Sequence, residues 1–302
     1  MTCDLLPLPN GWGESGLIVA IPARDEADLL PRALSALSRD RIVRDVIVIA
    51  NGCRDGTAKI VSSPRRGLRV AVLVTGPLAG GVGEARRLGF AAALDHVPMT
   101  RILATTDADC RVGVGWGASI IAALECADVA CGRIVPEPRG FARLPEIVRY
   151  HGQLEDRASD LRAELEGLEH PRSYDPLPRH GQAAGASLAF RTEAYLRAGG
   201  FEPIRCHEDR RIVDRIERAG GRISRPYGLH VTASCRRVGR AEGGMADTIA
   251  ARTRQTSILR DEIVRLHREI AQLEAAIVFH RRDLRSIPRP ANMGEQNVPS
   301  FQ

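Results

Sequence analysis

The chain has 302 residues, 44% hydrophobic and 26% charged, a balance that suits one large soluble domain or two small ones and excludes a disordered or fibrous chain. Aromatic residues make up only 4%, too few for a base-stacking platform, and no apolar run reaches the roughly 18–20 residues that cross a bilayer. The formal charge of +6 admits anionic partners such as nucleotides, phospholipid headgroups or nucleic acid, but with Lys59 as the only lysine it excludes a P-loop lysine and leaves arginine as the phosphate-binding cation. The seven cysteines are scattered, with no C-x-x-C pair, so neither a zinc ribbon nor a disulfide framework is indicated and a reducing cytoplasm is expected. Met1 to Gly16 lacks a basic start followed by an apolar block, so no secretory signal is expected.

Gly16 to Pro22 is an apolar, β-branched run that reads as a buried strand ended by Pro22. Asp25 and Glu26 follow, then Leu29, Leu30, Ala33, Leu34 and Leu37 at helical spacing. Those acids suit a helix start through the macrodipole, and equally suit a ligand-facing role. Val46 to Ala50 is a second buried strand, leading into the tight turn Asn51-Gly-Cys-Arg-Asp55-Gly-Thr57. Arg69 to Thr75 is a third. Gly80-Gly-Val-Gly83 then opens a helix through Leu94, where free N–H groups could meet an anion, although the spacing is not that of a dinucleotide fingerprint.

Arg101-Ile-Leu-Ala-Thr-Thr reads as a fourth strand that runs straight into Asp107-Ala-Asp109. Residues two apart on an extended chain face the same side, so both carboxylates can address one spot. Two like charges that close repel unless a cation sits between them, and a hard divalent ion carrying a diphosphate answers that need. Asp-x-Asp is also ordinary turn chemistry. A helix over about 117–125 and a fifth strand over 127–132 complete a repeating strand–helix order, which argues a mainly parallel, Rossmann-like sheet flanked by helices. Ligands of such sheets bind beyond the carboxyl ends of the strands, a rule that gathers Glu26, Asn51, Arg86, Asp107 and Asp109 at one edge.

A charged helix is expected from about 144 to 168, then a proline-containing loop over 171–180, read as a mobile or substrate-covering segment. Gly185 to Arg191 reads as a strand, Thr192 to Gly199 as a short helix, and Glu208-Asp209 as the start of another. Gly221 to Ser224 begins one more strand, and Arg236, Arg237 and Arg240 form a basic cluster, either a diphosphate contact or a solvated face. Leu259, Ile263, Leu266, Ile270, Leu273 and Ile277 alternate steps of four and three. They suit a two-stranded coiled coil joining two copies of the chain, or a helix packed on its own domain. Ser286 to Gln302 reads as a frayed tail.

In sum these segments resemble the family 2 glycosyltransferases of the GT-A fold, over about Leu17 to Arg240. The resemblance rests on Ile18-Val-Ala-Ile-Pro-Ala-Arg-Asp-Glu26, the turn Val46 to Thr57, Gly83-Glu-Ala-Arg86-Arg87-Leu-Gly89, Asp107-Ala-Asp109, the Gly199-Gly200-Phe201 end of an acceptor-side segment, and the Glu208-Asp209 pair. It implies a nucleotide-diphosphosugar donor, Mg²⁺ or Mn²⁺, and inverting transfer to a hydroxyl acceptor. It also implies a GT-A domain over 1–241, with a donor half at about 16–135 and an acceptor half at about 136–241. A helical extension at 242–285 and a tail at 286–302 follow. Position by position, it puts Pro22, Glu26, Asn51, Gly83, Arg86, Asp107 and Asp109 on the donor nucleotide, with Asp109 and Asp107 on the metal. His230 falls where some such enzymes place a further metal or diphosphate contact. Asp209 would be the general base and Glu208 its neighbour on the acceptor.

Three departures accompany the resemblance. Ala50-Asn51 replaces the paired acids of the second turn, which removes the carboxylate usually near the base. Ala85-Arg86-Arg87 replaces A-R-N. The Q-x-x-R-W motif of processive synthases is absent, so a processive polymerase is not expected. The rival readings are a sugar nucleotidyltransferase, a non-catalytic GT-A-like module that dimerises through the C-terminal helix, and a nucleic-acid binder suggested by charge alone. The expected partners are a nucleotide sugar and an unspecified hydroxyl acceptor rather than nucleic acid, with peripheral membrane contact left open.

Overall fold

A computed structural model describes residues 3–61, 67–240 and 243–286. In chain order, β1 (Cys3–Leu5) precedes β2 (Leu17–Ala23), α1 (Leu30–Arg39), β3 (Asp45–Asn51), α2 (Thr57–Val61), β4 (Arg69–Thr75), α3 (Gly81–His96) and β5 (Ile102–Thr106). There follow β6 (Cys110–Val112), α4 (Trp116–Cys126), β7 (Val129–Cys131), β8 (Arg133–Pro136), α5 (Pro138–Ala142), α6 (Glu146–Glu169), β9 (Ser187–Arg191) and α7 (Thr192–Arg197). The chain continues through α8 (Glu208–Arg218), β10 (Ile223–Ser224), β11 (His230–Ala233), α9 (Met245–Arg254) and α10 (Thr256–Ser286).

Eight strands form one sheet in the order β1-β4-β3-β2-β5-β9-β7-β10. Its centre, β4-β3-β2-β5, is parallel, while β9 runs antiparallel between β5 and β7 and β1 runs antiparallel at the edge. Both faces are covered, which is why β2 and β3 read as unbroken apolar runs. Val19, Ile21, Val46 and Val48 pack on one side with Leu30, Leu34 and Leu37 of α1. Ile18, Ala20, Ile47 and Ile49 pack on the other with Phe90 of α3 and with Ile212 and Val213 of α8. The parallel strands and their helices thus lie where the alternation of residues puts them.

Several elements differ from the sequence expectation. A second sheet, β6-β11-β8, is absent from it; its strands are short, half-buried and paired across long sequence separations. The segment 171–180, expected as a mobile or covering loop, is anchored. Buried Arg179 donates to Ala163 O, Asp175 accepts from the Arg225 N–H at 2.6 Å, and His180 Nε2 lies 3.1 Å from Cys131 O. The single C-terminal helix expected over 242–285 is two, α9 and α10, with Gln255 between them. The tail from residue 287 lies outside the described residues. Among the described residues, no helix is long and apolar enough to cross a membrane.

The heptad-like face of α10 packs on α6 of the same chain. Leu259, Leu266 and Ile277 are buried. From Tyr150–His267 to Glu164–Arg281 the partner numbers rise together, so the two helices run parallel. Arg157–Glu274 and Arg162–Glu269 flank the seam. A homodimer through that seam would have to displace α6.

Candidate active site

The polypeptide leaves β5 at Thr106 and turns through Asp107-Ala-Asp109 before entering β6. Carboxylate oxygens of Asp107 and Asp109 and Sγ of Cys110 lie within 4.8 Å of one another. Burial, then the charge of Asp107, lifts Asp109 from its ordinary 3.8 to about 6; Arg236 opposes the shift and Glu26 adds to it. Burial makes the charged form of Asp109 costly, and the two carboxylates together fit a hard divalent cation. Cys110 is buried, and its thiol is pushed well above the ordinary value by burial and by the two aspartates, so it is no ready nucleophile.

Glu26 is brought to this pocket from beyond β2. It is 5% exposed; its N–H donates to Thr57 Oγ1, and its carboxylate accepts a fork from Arg236 at 2.6 and 2.9 Å. Arg236 Nη2 also lies 3.1 Å from Asp109 Oδ2. Pro22 in β2 and Asn51 at the end of β3 line the same cleft, and Asn51 Oδ1 accepts the Leu78 N–H at 2.9 Å.

On the far side, His207 takes a left-handed turn (φ 64°), unusual for a residue with a side chain, and swings the chain into α8. Glu208 and Asp209 are its first two residues. Asp209 Oδ2 accepts the Gly185 N–H at 2.7 Å, which fixes the carboxylate toward the cleft. Burial, opposed by Arg86, raises Glu208 above the ordinary carboxyl range.

Arg86 joins the two sides. It is 3% exposed, donates to Asp107 Oδ1 at 2.6 Å and to Glu208 Oε1, and reaches Thr105 Oγ1 at 3.3 Å. Burial works against its charge, but Asp107, Glu208 and Asp209 outweigh that and raise its pKa. Expected on the donor nucleotide, it lines the cleft with its guanidinium engaged by two carboxylates.

Two expected ligands stand elsewhere. A Cβ on Gly83 would run into the carbonyl oxygens of Glu202 and Ile204, so this glycine permits close packing of α3 on the segment before α8. It does not face the cleft. His230 opens β11, its Nδ1 3.0 Å from Gly228 O and its ring against Gly113, away from the acid pair. The far end of β11 is what reaches the cleft, and the residue at the acids is Arg236.

The cleft holds about 1960 Å³ and runs from Pro22 and Asn51 past the acids to a wall made by α6, α9 and α10. Sequence reading missed that wall, because nothing local says which helix face will line a cavity. It also missed the Gly185 amide, since a backbone donor leaves no mark in the residue type.

The family model described as Glycosyl transferase family 2 matches residues 18–174, just over half of the chain. No curated protein matches at a significant level. Among solved structures, that of S. aureus TarS 1-349 in complex with UDP-GlcNAc is similar, with a TM-score of 0.55 and 14% identity, over 90% of this chain and 73% of that one. The mannosyltransferase PcManGT from Pyrobaculum calidifontis, in complex with GDP-Man and Mn²⁺, aligns at a TM-score of 0.50 and 17% identity, over 91% of this chain and 76% of that one. GalNAc-T7, with UDP, GalNAc and Mn²⁺, aligns at 0.51 and 16% identity over 78% of this chain and 47% of that one. At these identities the likeness is one of fold, and the fold is GT-A. With its parallel sheet, acid-tipped β5 and family match, the chain belongs to glycosyl transferase family 2.

Proposed function

We propose that the protein moves a sugar from a nucleotide-diphosphosugar to an acceptor hydroxyl by inverting displacement, with Mg²⁺ or Mn²⁺ on the donor diphosphate. The supporting observation is that Asp107 and Asp109 share one cleft with Asp209, the two sides being tied through Arg86. In this reading the donor half is about 16–135 and the acceptor half about 136–241. The solved structures with UDP-GlcNAc and with GDP-Man and Mn²⁺ support the donor class.

Asp107 and Asp109 would hold the cation, and Pro22, Asn51 and Glu26 would bound the nucleotide side. A bound divalent ion neutralises the charge that develops on the leaving diphosphate. The acceptor oxygen attacks the anomeric carbon as the bond to the diphosphate breaks, and its proton passes to Asp209. A positioned carboxylate suits that task. Its anchor on the Gly185 amide aims it, and Glu208 stays paired with Arg86 rather than taking the proton. The cleft exceeds the roughly 300–1,000 Å³ of a small-molecule site, which gives donor and acceptor room together.

A thermal-shift screen of UDP-, GDP- and TDP-sugars with Mn²⁺ tests this reading. One donor class should raise the melting temperature by mass action and be hydrolysed slowly, and Asp109→Ala should lose both effects. A folded protein that binds no nucleotide sugar would favour a non-catalytic module.

A further inference from the structure

The Arg236 guanidinium stands where a divalent cation would also be drawn. Its fork engages both oxygens of buried Glu26, and Nη2 reaches Asp109 at 3.1 Å, the longest of the three contacts. The residue follows β11 in a stretch without regular structure, so its side chain can pivot without breaking a strand ladder. Building on the donor reading above, we propose that Arg236 is a resident counter-cation of the acid pocket that releases Asp109 to the divalent ion only when a donor diphosphate arrives.

A cation placed on Asp107 and Asp109 would lie within a few ångströms of the guanidinium, and like charges at that range oppose each other. Glu26 is nearly sealed from water, and breaking its pair would leave a buried charge uncompensated. Glu26 is therefore the tether, and the Asp109 contact is the one surrendered. The Nη2 released from Asp109 can donate to a diphosphate oxygen, and the diphosphate brings charge that favours the metal. Cation and donor then load together, each raising the affinity of the other by the same factor.

Mn²⁺ titration followed by electron paramagnetic resonance tests this, with UDP and GDP as probes. Without nucleotide, Arg236→Gln should bind Mn²⁺ about tenfold more tightly than wild type, a gain within the usual coupling range of about 5–150-fold. Saturating UDP or GDP should tighten Mn²⁺ binding strongly in wild type and much less in the variant. Arg236→Lys keeps a charge on Glu26 but lacks the fork, and should show the same trend at smaller size should the glutamine variant fold poorly. Unchanged or weaker Mn²⁺ binding by folded variants, alongside normal binding by wild type, overturns the proposal and leaves the transferase reading standing. If wild type binds Mn²⁺ neither alone nor with either nucleotide, metal-dependent transfer falls and this proposal falls with it.

Discussion

Asp109 gives the metal-free protein a pH signature. Folded, it holds its proton to about pH 6, chiefly through burial; unfolded, it titrates near 3.8. Between those values the native state binds more protons than the unfolded one, so its contribution to stability is full at low pH and declines as pH rises through the window. Measured relative to Asp109→Asn, the melting temperature of metal-free protein should fall from pH 4 to pH 6.5, and the difference between the two should vanish below pH 4. Mn²⁺ needs the ionised carboxylate, so together with UDP or GDP it should raise the melting temperature at pH 7.5 far more than at pH 5. The placement of Asp107 and Asp109 just past a strand and of Asp209 at a helix start was legible in the sequence, because short polar residues at such edges announce themselves. The Arg236–Glu26 pair was not, since its partners are 210 residues apart and no local pattern encodes such a meeting.

α10 owes its place to the apolar seam on α6 more than to the ion pairs beside it. Leu266 is 5% exposed at the middle of that seam. Leu266→Ala should cost about 2–5 kcal/mol of resistance to denaturant. Arg162→Ala, which removes the half-exposed pair with Glu269, should cost no more than about 1 kcal/mol. Equal losses would show that charge, not packing, holds the helix. The step pattern of α10 was readable because it repeats over many turns; whether it met a second copy or its own chain was not, because one stripe serves either partner equally. Strands β6, β8 and β11, three or four residues each, carry too little periodicity to be read.

Arg86 ties the two sides of the cleft together across 122 residues of sequence. Arg86→Met should cost about 3–5 kcal/mol, because Glu208 would be left buried without a counter-charge. Adding Glu208→Gln should recover part of that loss in chemical denaturation, and a double variant no better than the single would place the damage elsewhere. The parallel half of the fold was visible as alternating strand and helix signals. The insertion of β9 between β5 and β7 was not, because sheet order follows from packing rather than from order along the chain.

That insertion carries a consequence for how the protein can vary. Thr106 and Ser187 face each other in the β5–β9 ladder, so the turn bearing Asp107 and the loop whose amide grips Asp209 emerge side by side from one rigid edge. The gauge between Asp107 and Asp209 is thereby set by backbone rungs instead of a hinge. Relatives built on the same ladder would keep that gauge while the α6–α9–α10 wall is resculpted around a different molecule.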